Sequence, residues 1–126
     1  SPSTADMLPE IVAKAVEIFA DHIEDPLGVA DVADMIGVSS RQLERSFKQA
    51  TGQSPSHYYR SLRMNAARQL VLYSSDSMTE IANAVGYATS APMLRHYREA
   101  FGQSPEEHRK TVNMFRVQNN RSIPSI

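Results

Sequence analysis

Arg45 and Arg95 are the strongest candidates for functional side chains in this sequence, because they stand at equivalent positions of an internal repeat. Each is followed three residues later by a second basic residue, Lys48 and Arg98 respectively. A planar guanidinium donates two parallel hydrogen bonds to a phosphate or to the edge of a guanine base. This pattern therefore indicates recognition of a polyanion, provided that the surrounding elements expose these side chains together.

Arrangements typical of catalysis or metal binding are missing from the sequence. It contains no cysteine, which excludes a disulfide framework, a thiolate metal site and a cysteine nucleophile. No serine–histidine–aspartate or H-E-x-x-H arrangement includes any of the four histidines, His22, His57, His96 and His108. His96 and Glu99 are three residues apart, which is more typical of a surface pair than of a metal site. We therefore expect no enzyme activity, no catalytic residue, no metal and no cofactor.

The net charge of −1 and the isoelectric point near 6.4 conceal a strongly uneven distribution. Residues 1–36 carry eight acids and one base, whereas residues 37–126 carry twelve bases and six acids. Nucleic-acid-binding domains usually have an isoelectric point above about 9, but a local basic surface is sufficient to attract a polyanion. No run of about 18 apolar residues is present, so we expect no membrane partner.

Apolar residues recur with the 3.6-residue period of an α-helix, and no alternating strand pattern is present, so we predict an all-α fold of seven helices. The first helix should run from Pro9 to Ile23, because proline suits a first helical turn. Capping boxes at Ser39 and Ser77 should begin the third and fifth helices. From Asn113 the periodicity fades, and we expect a frayed tail. The fourth helix should bury one continuous stripe, made of Tyr58, Tyr59, Leu62, Ala66, Leu70 and Tyr73.

An internal repeat organises most of the chain. Residues 29–37 align with 78–86 at a shift of 49, and residues 39–55 align with 89–105 at a shift of 50. Nine of these 26 positions are identical, against about one or two for unrelated segments. Duplication of one structural unit is the better explanation.

Each copy carries a small residue, a glycine and an aliphatic residue at the spacing that a helix-turn-helix requires. The small residue lets two helices cross closely, and the glycine adopts a left-handed turn conformation. The two sets are Ala33, Gly37 and Leu43, and Ala82, Gly86 and Met93. We therefore predict two helix-turn-helix subdomains joined by a long linker helix. The expected parts are a linker or chain end (1–8), a first subdomain (9–54), a connecting helix (55–74), a second subdomain (75–112) and a C-terminal tail (113–126).

The third and sixth helices should each expose a polar face opposite a buried one. Helical periodicity places six side chains in the cores, namely Leu43, Phe47, Ala50, Met93, Tyr97 and Phe101. The exposed residues predicted to bind DNA are Ser40, Arg41, Glu44, Arg45, Lys48, Ser90, Ala91, Leu94, Arg95 and Arg98. Small side chains in this set would let the helix approach the floor of the major groove.

These ten residues are not expected to act alike. Lys48 and Arg98 should meet phosphates, which set affinity rather than sequence preference. Glu44 can either accept a hydrogen bond from cytosine or form an ion pair with a basic side chain of its own helix, such as Arg41, Arg45 or Lys48.

The length of the connecting helix sets the distance between the two predicted helix-turn-helix subdomains. About 20 residues would span roughly 30 Å, and successive major-groove faces of duplex DNA lie about 34 Å apart. The two copies differ at Arg41/Ala91 and at Glu44/Leu94, so we expect an asymmetric DNA site.

A helical protein-interaction module is the alternative, in which the acidic first helix or the basic face binds a partner protein. Salt-dependent binding to duplex DNA would discriminate between the two.

Several segments resemble the DNA-binding domain of the AraC/XylS family of bacterial transcription regulators, over about residues 9–110. They are Gly37–Phe47 (GVSSRQLERSF), Gly52–Leu70 (GQSPSHYYRSLRMNAARQL), Ile81–Tyr87 (IANAVGY) and Arg95–Pro105 (RHYREAFGQSP). The resemblance implies seven helices, recognition of double-stranded promoter DNA by the third and sixth, activation through RNA polymerase, and a place in the bacterial cytoplasm at the nucleoid. It also implies base-facing roles for Arg41, Glu44, Arg45, Ser90, Ala91, Leu94 and Arg95.

The segment R-Q-L-E-R at residues 41–45 is similar to that of a subgroup of the family whose N-terminal domain resembles glutamine amidotransferases and holds an effector pocket. Two residues depart from the family pattern. Pro92 falls in the first turn of the sixth helix, where it removes a hydrogen-bond donor near the groove. His108 stands where the family usually has tyrosine.

Overall fold

The computed structural model describes the backbone of residues 4–122, and side chains from Pro9 to Gln118. This part of the chain contains no strand. Its helices are α1 (Thr4–Asp21), α2 (Val29–Ile36), α3 (Ser40–Thr51), α4 (Pro55–Tyr73), α5 (Met78–Ala84), α6 (Ser90–Phe101) and α7 (Pro105–Ser122). The predicted all-α fold of seven helices is confirmed. The chain divides into two compact units, and the boundary lies inside α4, between Arg63 and Met64.

Aromatic packing holds the first unit together. Phe19 on α1 is fully buried, and its ring stacks on Tyr59 of α4 with centroids 4.1 Å apart. The Phe19 ring also lies 5.8 Å from the ring of Phe47 on α3. Val32 and Ala33 of α2 complete this core. Large aromatic side chains contribute much of the burial free energy of a small core, so this cluster fixes α3 against α1.

The second unit has its own core around Tyr97 on α6, which is completely buried. Ile81 of α5 and Met93 of α6 are equally buried. The second half of α4 contributes Met64 and Val71 to the buried set. Each helix-turn-helix is therefore supported by a separate set of buried side chains.

The first helix begins earlier than predicted. It starts at Thr4, so Pro9 lies inside α1 rather than in its first turn, and residues 4–8 are helical rather than a linker. A proline within a helix removes one backbone hydrogen bond but does not forbid the helix when the flanking turns are stable. The helix also ends before Ile23, since Asp21 is its last residue.

The last helix continues beyond the predicted point. Residues from Asn113 onward were expected to form a frayed tail, but α7 extends to Ser122. Hydrophobic periodicity could not reveal this extension, because its large apolar side chains have no buried face. Met114, Phe115 and Val117 are 56%, 62% and 49% exposed. Residues 123–126 of the predicted tail lie outside the described residues.

The predicted stripe on α4 was only partly right: Tyr59 is buried and Tyr58, Leu62, Ala66 and Leu70 are half-buried, but the last residue is exposed and a second apolar face was missed. Tyr73 is 71% exposed, whereas Met64, Ala67 and Val71 are buried and were not predicted. The physical reason is that α4 serves two cores. Its first half packs with Phe19 and its second half belongs to the other unit, so the helix has two short apolar faces instead of one continuous stripe.

A left-handed glycine makes the turn between α2 and α3. Gly37 has a φ of 87°, and its N–H donates to the carbonyl oxygen of Ala33 at 2.9 Å. The N–H of Val38 donates to the same oxygen at 3.0 Å. Gly86 has a φ of 88° at the equivalent turn of the second copy. The predicted role of both glycines is confirmed.

Replacement of Gly37 by alanine should destabilise the first unit by about 1–2 kcal/mol, the cost of a left-handed conformation for an L-residue. A Cβ at this position would meet no heavy atom within 4 Å, so the loss would be conformational rather than steric. Gly37→Asn is the matched control, because asparagine tolerates this conformation. Urea unfolding of both variants checks the prediction. Equal losses for alanine and asparagine would contradict it.

Candidate nucleic-acid interface

Local capping and burial determine which face α3 exposes. The hydroxyl of Ser39 accepts a hydrogen bond from the backbone N–H of Gln42 at 3.0 Å, which satisfies one free donor at the start of the helix. Leu43 and Phe47 are completely buried on the other side. The hydroxyl of Ser46, also buried, donates to the carbonyl oxygen of Gln42 at 2.8 Å. This side of α3 is therefore fixed to the core.

All five residues predicted on α3 are exposed: Ser40, Arg41, Glu44, Arg45 and Lys48. They lie outside the side formed by the buried Leu43, Ser46 and Phe47, and Arg45 lies about 200° around the helix from Phe47. Ala50 was predicted in the core but is exposed. It lies three residues beyond Phe47, near the end of the helix, and Ser46 takes a buried position instead.

Glu44 remains a candidate for direct recognition. Within the described residues, no basic group lies within 4.0 Å of its carboxylate, so the structure shows no ion pair with a neighbouring base. The carboxylate is exposed on the same face as Arg45.

The equivalent face of α6 is less open. Ala91, Arg95 and Arg98 are exposed, whereas Ser90 and Leu94 are half-buried. Arg95 lies about 200° around the helix from the buried Tyr97, whereas Ser90 and Leu94 border the buried side, which explains their partial burial. Thr89 stands at the N-cap of α6, but its side chain makes no capping hydrogen bond. The second face is therefore smaller and more apolar than the first.

Two details of α6 refine the predictions. Pro92 is the third residue of the helix, a position where the missing N–H has no partner within the helix. Phe101 is half-buried rather than buried. Its ring lies 4.7 Å from that of Tyr97, and the Arg68 guanidinium lies 4.6 Å above it.

Behind α3, two adjacent tyrosines of α4 join separate parts of the first unit. The ring of Tyr58 meets that of Phe47 edge-on at 5.5 Å. The hydroxyl of Tyr59 donates to the carbonyl oxygen of His22 and accepts from the N–H of Leu27 at 3.1 Å. This hydroxyl therefore fastens the loop between α1 and α2.

Behind α6, two adjacent residues of α7 make corresponding contacts. The Nδ1 atom of His108 lies 2.8 Å from the hydroxyl of Tyr97. Burial raises the pKa of Tyr97 to about 12, although the charges of Arg68 and Arg109 partly oppose this shift. The phenol is therefore protonated at neutral pH, and its hydroxyl shares a hydrogen bond with the Nδ1 atom of His108.

Arg109 is bound entirely to backbone carbonyl groups. Its Nε donates to the carbonyl oxygen of Val71 at 2.9 Å, and its Nη1 donates to that of Asp76 at 2.7 Å. Its Nη2 donates to that of Leu70 at 3.3 Å. A cation at the C-terminal end of α4 also complements the helix dipole.

Sequence reasoning missed these contacts, although the repeat carried the signal. The alignment ended at Pro55 and Pro105, and the same shift of 50 continued for four more residues would pair Tyr58 with His108 and Tyr59 with Arg109. The residue types differ in both pairs, so identity alone could not extend the repeat.

His96, one of the two residues considered as a metal-binding pair, contacts a tyrosine instead. The Nδ1 atom of His96 lies 2.7 Å from the hydroxyl of Tyr87. In the part of the chain that the structure describes, no group of three or more potential metal ligands occurs. Among the same residues, no helix is both long enough and apolar enough to cross a membrane.

Two exposed helices, each the second of a helix-turn-helix with its own core, define a tandem helix-turn-helix domain. A family model described as "Helix-turn-helix domain" matches residues 32–111. A transcriptional regulator of the AraC type from Chromobacterium violaceum is 40% identical, with a TM-score of 0.78 over 82% of this chain and 93% of its own. The chain belongs to the AraC family of DNA-binding domains.

Two further comparisons agree. The DNA-binding domain of AdpA, solved in complex with a target DNA, is 28% identical, with a TM-score of 0.76 over 88% of this chain and 96% of its own. The HTH-type transcriptional regulator ArgR of Pseudomonas aeruginosa is 39% identical over 98 residues, or 78% of this chain. The chain spans only 30% of that relative. These relatives are transcription regulators, and the domain is not an enzyme.

Tyr97 should make the fold sensitive to alkali. Its pKa rises from 10.0 to about 12 in the folded state, so the folded protein holds the phenol proton more tightly than the unfolded chain. This stabilisation is fully present below pH 10 and is lost as the pH rises through 12. Urea unfolding across this range should show wild type losing stability faster than Tyr97→Phe. Parallel losses would contradict the assignment.

Proposed function

We propose that the protein is a regulator of transcription that binds double-stranded promoter DNA sequence-specifically, with α3 and α6 in adjacent major grooves. The observation that supports this most directly is the pair of exposed helical faces with Arg45 and Arg95 at equivalent positions. Each of the two helices is anchored by a fully buried aromatic ring, Phe47 or Tyr97, which holds its exposed face in place. Rigid presentation of a few donors is what direct recognition of bases requires.

Different roles follow for different residues. Arg45 and Arg95 read guanine, since a guanidinium can donate to O6 and N7 together. Lys48 and Arg98 lie one turn further along their helices and bind phosphates. Glu44 accepts from cytosine, a role that its lack of an ion pair within the described residues supports.

The recognised site is asymmetric. Arg41 and Glu44 of the first face correspond to Ala91 and Leu94 of the second. A charged, exposed face favours hydrogen bonding to base edges, whereas a small and apolar face favours contact with thymine methyl groups. The two helices therefore read different half-sites. The 19 residues of α4 correspond to about 28 Å of helix, near the distance between successive grooves.

The acidic part of the first unit faces away from the duplex, because phosphates would repel it. Glu17, Asp21 and Asp31 are among its exposed acids. This surface remains available for protein partners, and we assign activation through RNA polymerase to the regulator on that basis. A bacterial cytoplasmic location at the nucleoid accompanies this role.

The longer protein carries an N-terminal effector-binding domain in this proposal. The support is the 30% share of ArgR that the chain spans. The R-Q-L-E-R segment at residues 41–45 favours an effector domain of the glutamine amidotransferase-like type.

Substitution of the two arginines tests the proposal. Arg45→Ala and Arg95→Ala should each cost about 1–3 kcal/mol of binding to a selected duplex, and each should relax preference at a different base pair. Lys48→Ala should instead weaken binding to all duplexes and lower the slope of log affinity against log salt by about one. Fluorescence anisotropy titrations at several salt concentrations measure both effects.

Lys14→Ala is the matched control, since this exposed base lies on α1 and pairs with Glu10 at 3.2 Å. Its affinity and salt dependence should equal those of wild type. Unchanged binding by both arginine variants would overturn the proposed reading faces. Binding to a protein partner without salt-dependent binding to DNA would favour an interaction module instead.

A further inference from the structure

The contacts behind α3 and α6 repeat in the same register as the helix-turn-helix itself. Phe47 and Tyr97 are fifty residues apart, and so are their respective partners, Tyr58 and His108. The next residues, Tyr59 and Arg109, are also fifty apart. We call Tyr58–Tyr59 and His108–Arg109 the closing pairs. In each pair the first residue contacts the aromatic side chain beneath the exposed helix.

The second residue of each closing pair binds the backbone segment in front of its helix-turn-helix. Tyr59 binds the backbone of His22 and Leu27, and Arg109 binds the backbone of Val71, in the last turns of α4, and of Asp76, in the loop that follows. Both pairs of backbone positions differ by 49 residues between the copies, the shift that aligns α2 with α5. The duplication therefore includes a contact geometry as well as a helix pattern.

Hydrogen-bond chemistry explains why the second residues differ. The first loop offers one carbonyl oxygen and one N–H, and a tyrosine hydroxyl can donate to one and accept from the other. The second loop offers carbonyl oxygens, because the N–H of Asp76 already donates to Ser74 Oγ at 3.2 Å. A guanidinium only donates, so arginine fits this loop.

The first residues differ for a related reason. Phe47 has no polar atom, and the Tyr58 ring packs against it. Tyr97 is fully buried and carries a hydroxyl, which would be unsatisfied without a partner. The Nδ1 atom of His108 is that partner. The departure of His108 from the usual tyrosine is thus matched by the hydroxyl of Tyr97.

We propose that the closing pairs are positioning residues for DNA recognition, which rests on the proposed function. Each pair fixes its recognition helix, α3 or α6, to the backbone segment that precedes the same helix-turn-helix. Specific hydrogen bonds to bases require placement within about 0.5 Å, whereas phosphate attraction tolerates looser geometry. Loss of a closing pair therefore weakens specific binding and leaves non-specific binding largely intact.

Arg109 gives the sharpest test, because its three hydrogen bonds go to carbonyl groups and none of them is a phosphate contact. Arg109→Met should weaken binding to a selected duplex about tenfold, which corresponds to losing one charge-assisted hydrogen bond. Affinity for a random duplex should change less than about twofold, and the salt slope should stay the same. The affinity of Arg109→Lys for the selected duplex should fall between those of wild type and Arg109→Met, because lysine keeps a hydrogen-bond donor.

Base preference separates positioning from general destabilisation. Arg109→Met should relax preference only at bases read by α6, and Tyr59→Phe only at bases read by α3. The exchange Tyr97→Phe with His108→Tyr rebuilds the Phe47–Tyr58 contact, so it should restore specific affinity lost in His108→Ala. Selection of bound sequences by each variant, with circular dichroism to confirm folding at the assay temperature, provides these readings.

Several outcomes would overturn the positioning role. A salt slope reduced by about one in Arg109→Met would assign the arginine to a phosphate instead. Equal relaxation at both half-sites, or an exchange variant no better than His108→Ala, would leave only a general structural role. A wild-type protein that does not distinguish the selected duplex from the random one would refute the proposed function itself, and the positioning role with it.

Discussion

One fully buried aromatic ring beneath each recognition helix is the constraint on which the rest depends. Phe47 and Tyr97 have no exposed surface, and each packs against another aromatic ring, that of Phe19 or Phe101 respectively. Arg45 and Arg95 stand two residues earlier, about 200° around the helix, so burial of the ring forces the arginine outward. The same burial removes the hydroxyl of Tyr97 from water, so this hydroxyl requires a hydrogen bond with His108 that its counterpart in the first unit, Phe47, does not need.

Duplication has preserved the scaffold while the surfaces and supports have diverged. Gly37 and Gly86 have nearly the same positive φ, a conformation that glycine adopts without steric strain. On the exposed faces, by contrast, Glu44 corresponds to Leu94, and among the supports Tyr59 corresponds to Arg109. Changes of charge are tolerated at both kinds of position, since solvent, DNA or the local backbone supplies a partner in each case.

The features predictable from sequence are those with a short-range cause. Caps, turn glycines and the repeat located α2, α3, α5 and α6 well, because their signals lie within a few residues of each boundary. The ten candidate DNA-binding residues followed from helical periodicity and lie on two helical faces as expected, although Ser90 and Leu94 are half-buried. Failures occurred where structure depends on distant partners. The two faces of α4, the exposed extension of α7 and the bonds of Arg109 to α4 carry no local pattern.

The central claim is that two copies of one scaffold read two different half-sites side by side. Selection of bound sequences from random duplexes tests it most directly. The account predicts two unlike half-sites with centres about 10 base pairs apart, and a guanine in each whose preference disappears in Arg45→Ala or Arg95→Ala respectively. A palindromic site, or a single half-site unaffected by Arg95→Ala, would contradict it.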